Sequence, residues 1–279
     1  MQPRRRRVAD ATAGVRHPAP VRLLAVRSLA VLFALTWLVL PGFGLIDLSV
    51  TWDPDWPVVL EATWGVFMTV LVGGAFLSVA VAPRRSAPAA ATVLVTLATW
   101  VVAAAVGLEW PLLGYVAVLL VEAALVAVLL PDRERLRPAT RSVSVPLLVV
   151  AALGVVPGLV LAEDMFAANR RGAGLAIGDV TMGVDHYAVQ GALALALPTL
   201  ALLAAVWPRG RRYLGVAVGL CAGYVGVVSY AFPTSWESFG PVLSVVCVAW
   251  AAAVAVLSLR RPLERGELGG EVVEAQRAL

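Results

Sequence analysis

An all-α integral membrane protein with eight transmembrane helices is the fold class predicted for this 279-residue chain. Three features predict it: the composition, the spacing of the apolar stretches and the placement of the arginines. Hydrophobic residues make up 60% of the chain and charged residues 14%, with a mean hydropathy of +0.86. A soluble domain averages roughly 45–50% apolar and about 25% charged residues, so this chain belongs in lipid. All 22 basic residues are arginine, and they fall in tails and loops. A nucleic-acid footprint needs a basic face on a folded module, which excludes nucleic acid as the natural partner. Cys221 and Cys247 lie inside apolar runs with no metal or redox spacing and read as small buried hydrophobes.

Crossing a hydrocarbon core of about 30 Å takes roughly 20 helical residues. Eight apolar stretches reach that length, at 28–46, 58–81, 88–107, 111–130, 144–162, 187–206, 213–232 and 240–259. Segment 1–27 reads as a disordered basic tail, and Arg4, Arg5, Arg6 and Arg7 within it suit anionic lipid headgroups. The first apolar stretch reads as a retained helix, because its core is long and "LVLPGFGLID" offers no small-x-small cleavage site. Residues 28–130 then form a first four-helix half and 131–143 a linker. Residues 144–259 form a second half containing a long external loop at 163–186, and 260–279 is a disordered tail. Four glycines in that loop, Gly172, Gly174, Gly178 and Gly183, suit a lid or a shallow re-entrant segment.

Threading the chain through eight spans puts 20 arginines on one side and only Arg170 and Arg171 on the other. The positive-inside bias then predicts a cell-membrane protein with both termini in the cytoplasm. Ten of the 18 acids fall on the external side, and such a face attracts cations. Trp52, Trp56, Trp64, Trp110 and Trp236 cluster at the outer boundary, as an interfacial belt does.

An internal repeat organises the two halves. Shifted by 130 positions, "GFGLIDLSVTWDPDWPVVLEA" at 42–62 aligns without a gap to "GAGLAIGDVTMGVDHYAVQGA" at 172–192, matching Thr51 with Thr181 and Asp55 with Asp185. A four-helix unit returns the chain to its starting side, so the halves read as two parallel repeats, four plus four. An alternative register sets Pro41-Gly42 against Pro157-Gly158.

Two polar groups stand out against this background. The first is external: Asp185, His186 and Gln190 at the start of the sixth span, with Asp55 and Glu61 at the start of the second. A carboxylate just before a helix accepts from free backbone N–H groups, so Asp55 and Asp185 read as N-caps. Gln190 shares a helical face with His186. The second is intramembrane. Glu122 lies mid-way along the fourth span, where a charge costs at least about 2.5–3.5 kcal/mol, so it must face protein or water. Thr92, Thr96 and Thr99 line one face of the third span and supply hydroxyls for it.

His186 with Asp185, Asp179 and the Glu163-Asp164 pair has metal-ligand types without a diagnostic spacing, which leaves both metal and cofactor undetermined. Nucleophile-elbow, zinc-protease, phosphate-loop and dinucleotide signatures are absent from the sequence. The residues point first to a small-solute or cation/proton-linked carrier. A non-catalytic scaffold whose outer loops hold a protein partner, and an outward-facing enzyme using His186 as a base, remain open as alternatives.

Overall fold

Proline and glycine set where the first helix stops. In the computed structural model, which describes residues 20–50, 52–130, 143–177, 180–235 and 237–260, α1 (Pro20–Leu38) opens on a proline. The missing N–H of that residue costs nothing in a first turn. Past Leu38 the amide of Gly42 closes onto the carbonyl of Thr36, six residues back, at 2.9 Å, which gives an orphan carbonyl of the last turn a donor. A Cβ on Gly42 would lie 2.5 Å from Trp37 Cα, so only glycine permits the turn. Phe43 takes a left-handed φ of 58°, and helix resumes as α2 (Gly44–Val50). The expected span at 28–46 is thereby corrected. It begins at Pro20, inside the segment read as a disordered tail, and breaks before Gly42.

α3 (Val58–Val81) follows, with a π-helical stretch at Phe67–Gly73. α2 leans on it. A Cβ on Gly44 would meet Thr69 Oγ1 at 2.6 Å, and one on Gly65 would meet Leu48 at 2.8 Å. Thr69 lies eleven residues into α3, about 16 Å below its first residue at 1.5 Å per residue. The break after α1 thus lies well below the start of α3, with Gly42 and Gly44 buried and Val39, Leu40 and Pro41 exposed, and α2 climbs back along α3.

The remaining spans are α4 (Ala87–Gly107), α5 (Leu112–Leu129) and α6 (Val145–Arg170). α6 is interrupted at Gly154, where a Cβ would run into the Trp250 ring. Its continuation to Arg170 corrects the loop expected at 163–186, whose first eight residues are helical. A short helix, α7 (Ala173–Ile177), leads into a two-stranded hairpin, β1 (Val180–Thr181) and β2 (Val184–Asp185). Val180 pairs with Asp185 and Thr181 with Val184. Met182 and Gly183 turn the hairpin with φ of 50° and 83°, the two positive values a type I′ turn requires. α8 (His186–Val206), α9 (Arg211–Ala231) and α10 (Gly240–Leu259) complete the chain.

Eight of these helices are long and apolar enough to cross a membrane, by length and composition, and the chain is a multi-pass membrane protein. α3, α4, α8 and α9 form the buried centre, while α1, α5, α6 and α10 are mostly exposed around it. α8 packs against α6, α4, α9, α7 or α3 along its length, and α9 against α10 and α3. Gly215, Gly219 and Gly226 let α9 approach Ser258, Ala255 and Val248 of α10 closely, the small-residue packing that replaces the hydrophobic effect between helices in lipid. Outward-facing Val121, Leu125, Val245 and Val246 present apolar surface to the bilayer.

Contacts between helix ends define two faces. At one, which we term the hairpin end, Asn169 Nδ2 donates to Gly107 O and to Glu109 Oε2, each at 3.0 Å, and the Tyr187 hydroxyl donates to Glu237. At the other, Arg22 donates to the terminal carbonyls of α5 at Val128 and Leu129, and Ser144 N–H donates to Ala205 O. The arginines at 4–7, the linker at 131–142 and the tail at 261–279 lie outside the described residues.

Candidate functional site

The hairpin and the first turn of α8 build the part of the site at the hairpin end. Asp185 caps α8, accepting from Tyr187 N–H at 2.9 Å. That cap holds His186 at the first helical position, pointing into the bundle with only 1% of its surface exposed. The tight turn at Met182-Gly183 returns β1 so that Thr181 Oγ1 lies 2.8 Å from His186 Nε2. Across the centre, Glu61 Oε2 of α3 stands 3.9 Å from His186 Nδ1, an ion pair whenever the imidazole carries its second proton. One turn further along α3, the Trp64 indole stacks on the imidazole at 4.5 Å and 23°. The ring is therefore held by a hydroxyl, a carboxylate and an aromatic face at once.

Of the external residues expected to act together, the structure unites Glu61, Asp185 and His186. Gln190 follows one turn below His186, 2% exposed, and neither of its amide atoms has a hydrogen-bond partner among the described residues. Asp55 is a correction. It is exposed, two residues ahead of the actual N-cap Pro57, and its own amide donates to Asp53 Oδ1. Pro57 brings no donor and the chain turns before it, so Asp55 never reaches the first turn of α3.

A second cluster lies deeper, where α1 breaks. Trp37, on the last turn of α1, donates its indole N–H to Glu122 Oε2 at 2.6 Å. This corrects the expected threonine partners. Thr92 and Thr99 hydroxyls return to carbonyls of their own helix, at Pro88 and Thr96, as hydroxyls in apolar helices do. Thr96 Oγ1 has no hydrogen-bond partner among the described residues. All three threonines are buried on the inner face of α4.

Around Glu122 the aromatics converge. Tyr115 is ringed by Trp37 at 6.0 Å, Trp64 at 5.8 Å and Trp100 at 6.3 Å, and Trp37 meets Trp100 at 5.6 Å. Trp64 also ties the break in place, donating Nε1–H to Gly42 O at 2.8 Å. Asp47 of α2 is buried within electrostatic reach of the Tyr115 hydroxyl. Trp64 is thus no belt residue, since it is fully buried, whereas Trp52, Trp56 and Trp110 are half exposed. Trp236 lies outside the described residues.

Sequence reasoning missed Trp37, Trp100, Tyr115 and Asp47. A tryptophan well inside an apolar span, rather than at its edge, is the signal that marks Trp37 and Trp100: the buried indole N–H of Trp37 takes Glu122 as its partner, while that of Trp100 has none among the described residues.

Among the described residues the buried basic side chains are His186 and Arg211. Arg211 sits at the far end, donating to the carbonyls of Ala204 and Ala205. Asp47, Glu61 and Glu122 therefore share the interior with one imidazole. No group of three or more His, Cys, Asp or Glu among the described residues could hold a metal ion. Glu163 pairs with Arg170 at the surface, and Asp179 lies outside the described residues. Comparison with protein-family models, curated proteins and solved structures finds no match.

Proposed function

We propose that this protein is a small-solute carrier of the cell membrane, linked to a cation or to protons, whose path runs from Glu61 and His186 to Glu122. The observation that carries the reading is the break in α1 beside a buried carboxylate. An unwound stretch inside a bundle is tolerated only where protein or a polar cavity satisfies its backbone, and carriers place their sites at such interrupted helices. Here the break adjoins Trp37 and through it Glu122, an acid at a depth where ionisable residues mark ion or proton routes.

The arrangement of halves supports the same reading. Each half runs periphery, centre, centre, periphery: α1, α3, α4, α5 and then α6, α8, α9, α10. Exchanging the halves maps the contact of α8 with α4 onto that of α3 with α9, and the contact of α1 with α5 onto that of α6 with α10. The first span of each half is interrupted, at Pro41-Gly42 and at Gly154. Two parallel repeats enclosing a central path account for all three features, and the arginine bias supports placing both termini in the cytoplasm.

Purified protein in proteoliposomes, assayed for proton flux with an entrapped pH dye and for uptake across a panel of inorganic and organic cations, tests the reading. Glu122→Gln reduces flux to that of empty vesicles while preserving the folded yield. Undiminished flux in that variant, or no flux of any panel member through the unaltered protein, removes the proposal.

A further inference from the structure

The aromatic cluster has a chemistry of its own. Trp37, Trp64 and Trp100 come from three different helices, each is essentially fully buried, and they surround a single ring, that of Tyr115. Trp64 and Trp100 meet it nearly perpendicularly, at 86° and 88°. Tyr115 differs from them in kind. It is only partly buried, it stands on the first turn of the peripheral helix α5, and its hydroxyl has no hydrogen-bond partner among the described residues. Neighbouring Gly114 has open space on its side-chain face. A tryptophan cage is therefore filled by a residue bound to the cage by ring contacts alone.

We infer that Trp37, Trp64 and Trp100 form a recognition cage for a small organic ammonium ion, with Tyr115 occupying the cage as a displaceable plug when no ligand is bound. Indole faces attract cations through their quadrupoles, most strongly where water is excluded. The charge of the surroundings has the matching sign, with Glu122 hydrogen-bonded to one wall, Asp47 within reach of the plug, and the negative end of the α1 dipole directed at the break. An alkali or divalent ion demands a shell of oxygens at short range. Indole rings rather than oxygens line the cage, with one face of Trp64 taken by His186 and one of Trp100 by Phe67, and such a lining suits an alkylated ammonium with a weakly held hydration shell.

This inference names the ligand class of the carrier proposed above and rests on that reading for transport, but binding is measurable without transport. Equilibrium dialysis of the detergent-purified full chain against radiolabelled choline and tetramethylammonium, at fixed ionic strength, is the experiment. Saturable binding is expected in the unaltered protein. Trp100→Leu weakens it at least about tenfold, and Trp100→Phe weakens it less, since a smaller π-face survives. Tyr115→Ala tightens it several-fold by vacating the cage. The assignment is overturned if neither the unaltered protein nor Tyr115→Ala binds saturably, if folded Trp100→Leu binds like the parent, or if equimolar sodium displaces the organic ion. Should the tryptophan variants fail to fold, the tyrosine variant decides alone: unchanged or weaker affinity refutes the plug and the cage with it. Proton flux dependent on Glu122 without ammonium binding leaves the carrier standing and removes the cage, whereas binding without any flux does the reverse.

Discussion

At the scale of single residues, the two aspartates that align in the repeat have different fates. Asp185 accepts from Tyr187 N–H and is buried, so its removal strips α8 of its cap and shifts the residue that holds His186. Asp55 is exposed and caps nothing. Asp185→Ala is expected to lower stability by about 1 kcal/mol, at the usual worth of an N-cap, while Asp55→Ala stays within about 0.5 kcal/mol of the parent, as surface changes do. Thermal unfolding in detergent, following α-helical signal for both variants in parallel, measures the contrast. Equal losses would show that the alignment, rather than the hydrogen bond, predicts the role. Asp185 was legible because a carboxylate before a helix has a local purpose. The partners of His186 were not, because Glu61, Thr181 and Trp64 approach it through pairings that no local pattern encodes.

At the scale of elements, the break between α1 and α2 joins chain geometry to the site. Pro41 cannot continue a helix, Gly42 lets the turn close against Trp37, and the closed turn offers Gly42 O to Trp64. A methyl group at Gly42 must push Trp37 aside, disturbing Glu122 through the indole bond. Gly42→Ala is expected to cost at least about 2 kcal/mol, because neither rotamer change nor side-chain motion relieves contact with backbone. Gly114→Ala, with nothing within 4 Å of the added carbon, is expected to be neutral or to gain up to about 1 kcal/mol from helix propensity. Melting temperatures of the pair decide the matter, and a tolerated Gly42→Ala would mean that the break is not held by this contact. Pro41-Gly42 was visible in the sequence as a helix-ending signal, yet hydropathy runs smoothly across it and led the expected span on to residue 46. Apolar content reports preference for lipid, not continuity of helix.

At the scale of the whole molecule, the arrangement of spans makes orientation testable. Cys221 is buried and Cys247 largely so, which keeps background labelling low. Met182 is exposed in the hairpin turn and Arg84 is exposed at the opposite end. On the proposed threading, Met182→Cys reacts with a membrane-impermeant maleimide in intact cells, and Arg84→Cys reacts only after permeabilisation. The reverse pattern would invert the molecule and place the acidic face in the cytoplasm, and labelling of both or neither in intact cells would break the alternation of spans.

What the sequence by itself determined is the solvent and the number of spans. Hydropathy is a sum over neighbouring residues, so eight lipid-compatible helices could be read with ends mostly within a few residues of those observed, and Glu122 stood out because a lone acid in an apolar run is locally anomalous. Only the tertiary structure decided which polar groups meet. Glu122 finds Trp37 rather than threonine, His186 finds Glu61, and three tryptophans from separate helices close on Tyr115. Helix rotation and depth set such meetings, and they follow from small-residue packing and from interrupted helices, terms that act between segments far apart in the chain and leave no periodic trace along it.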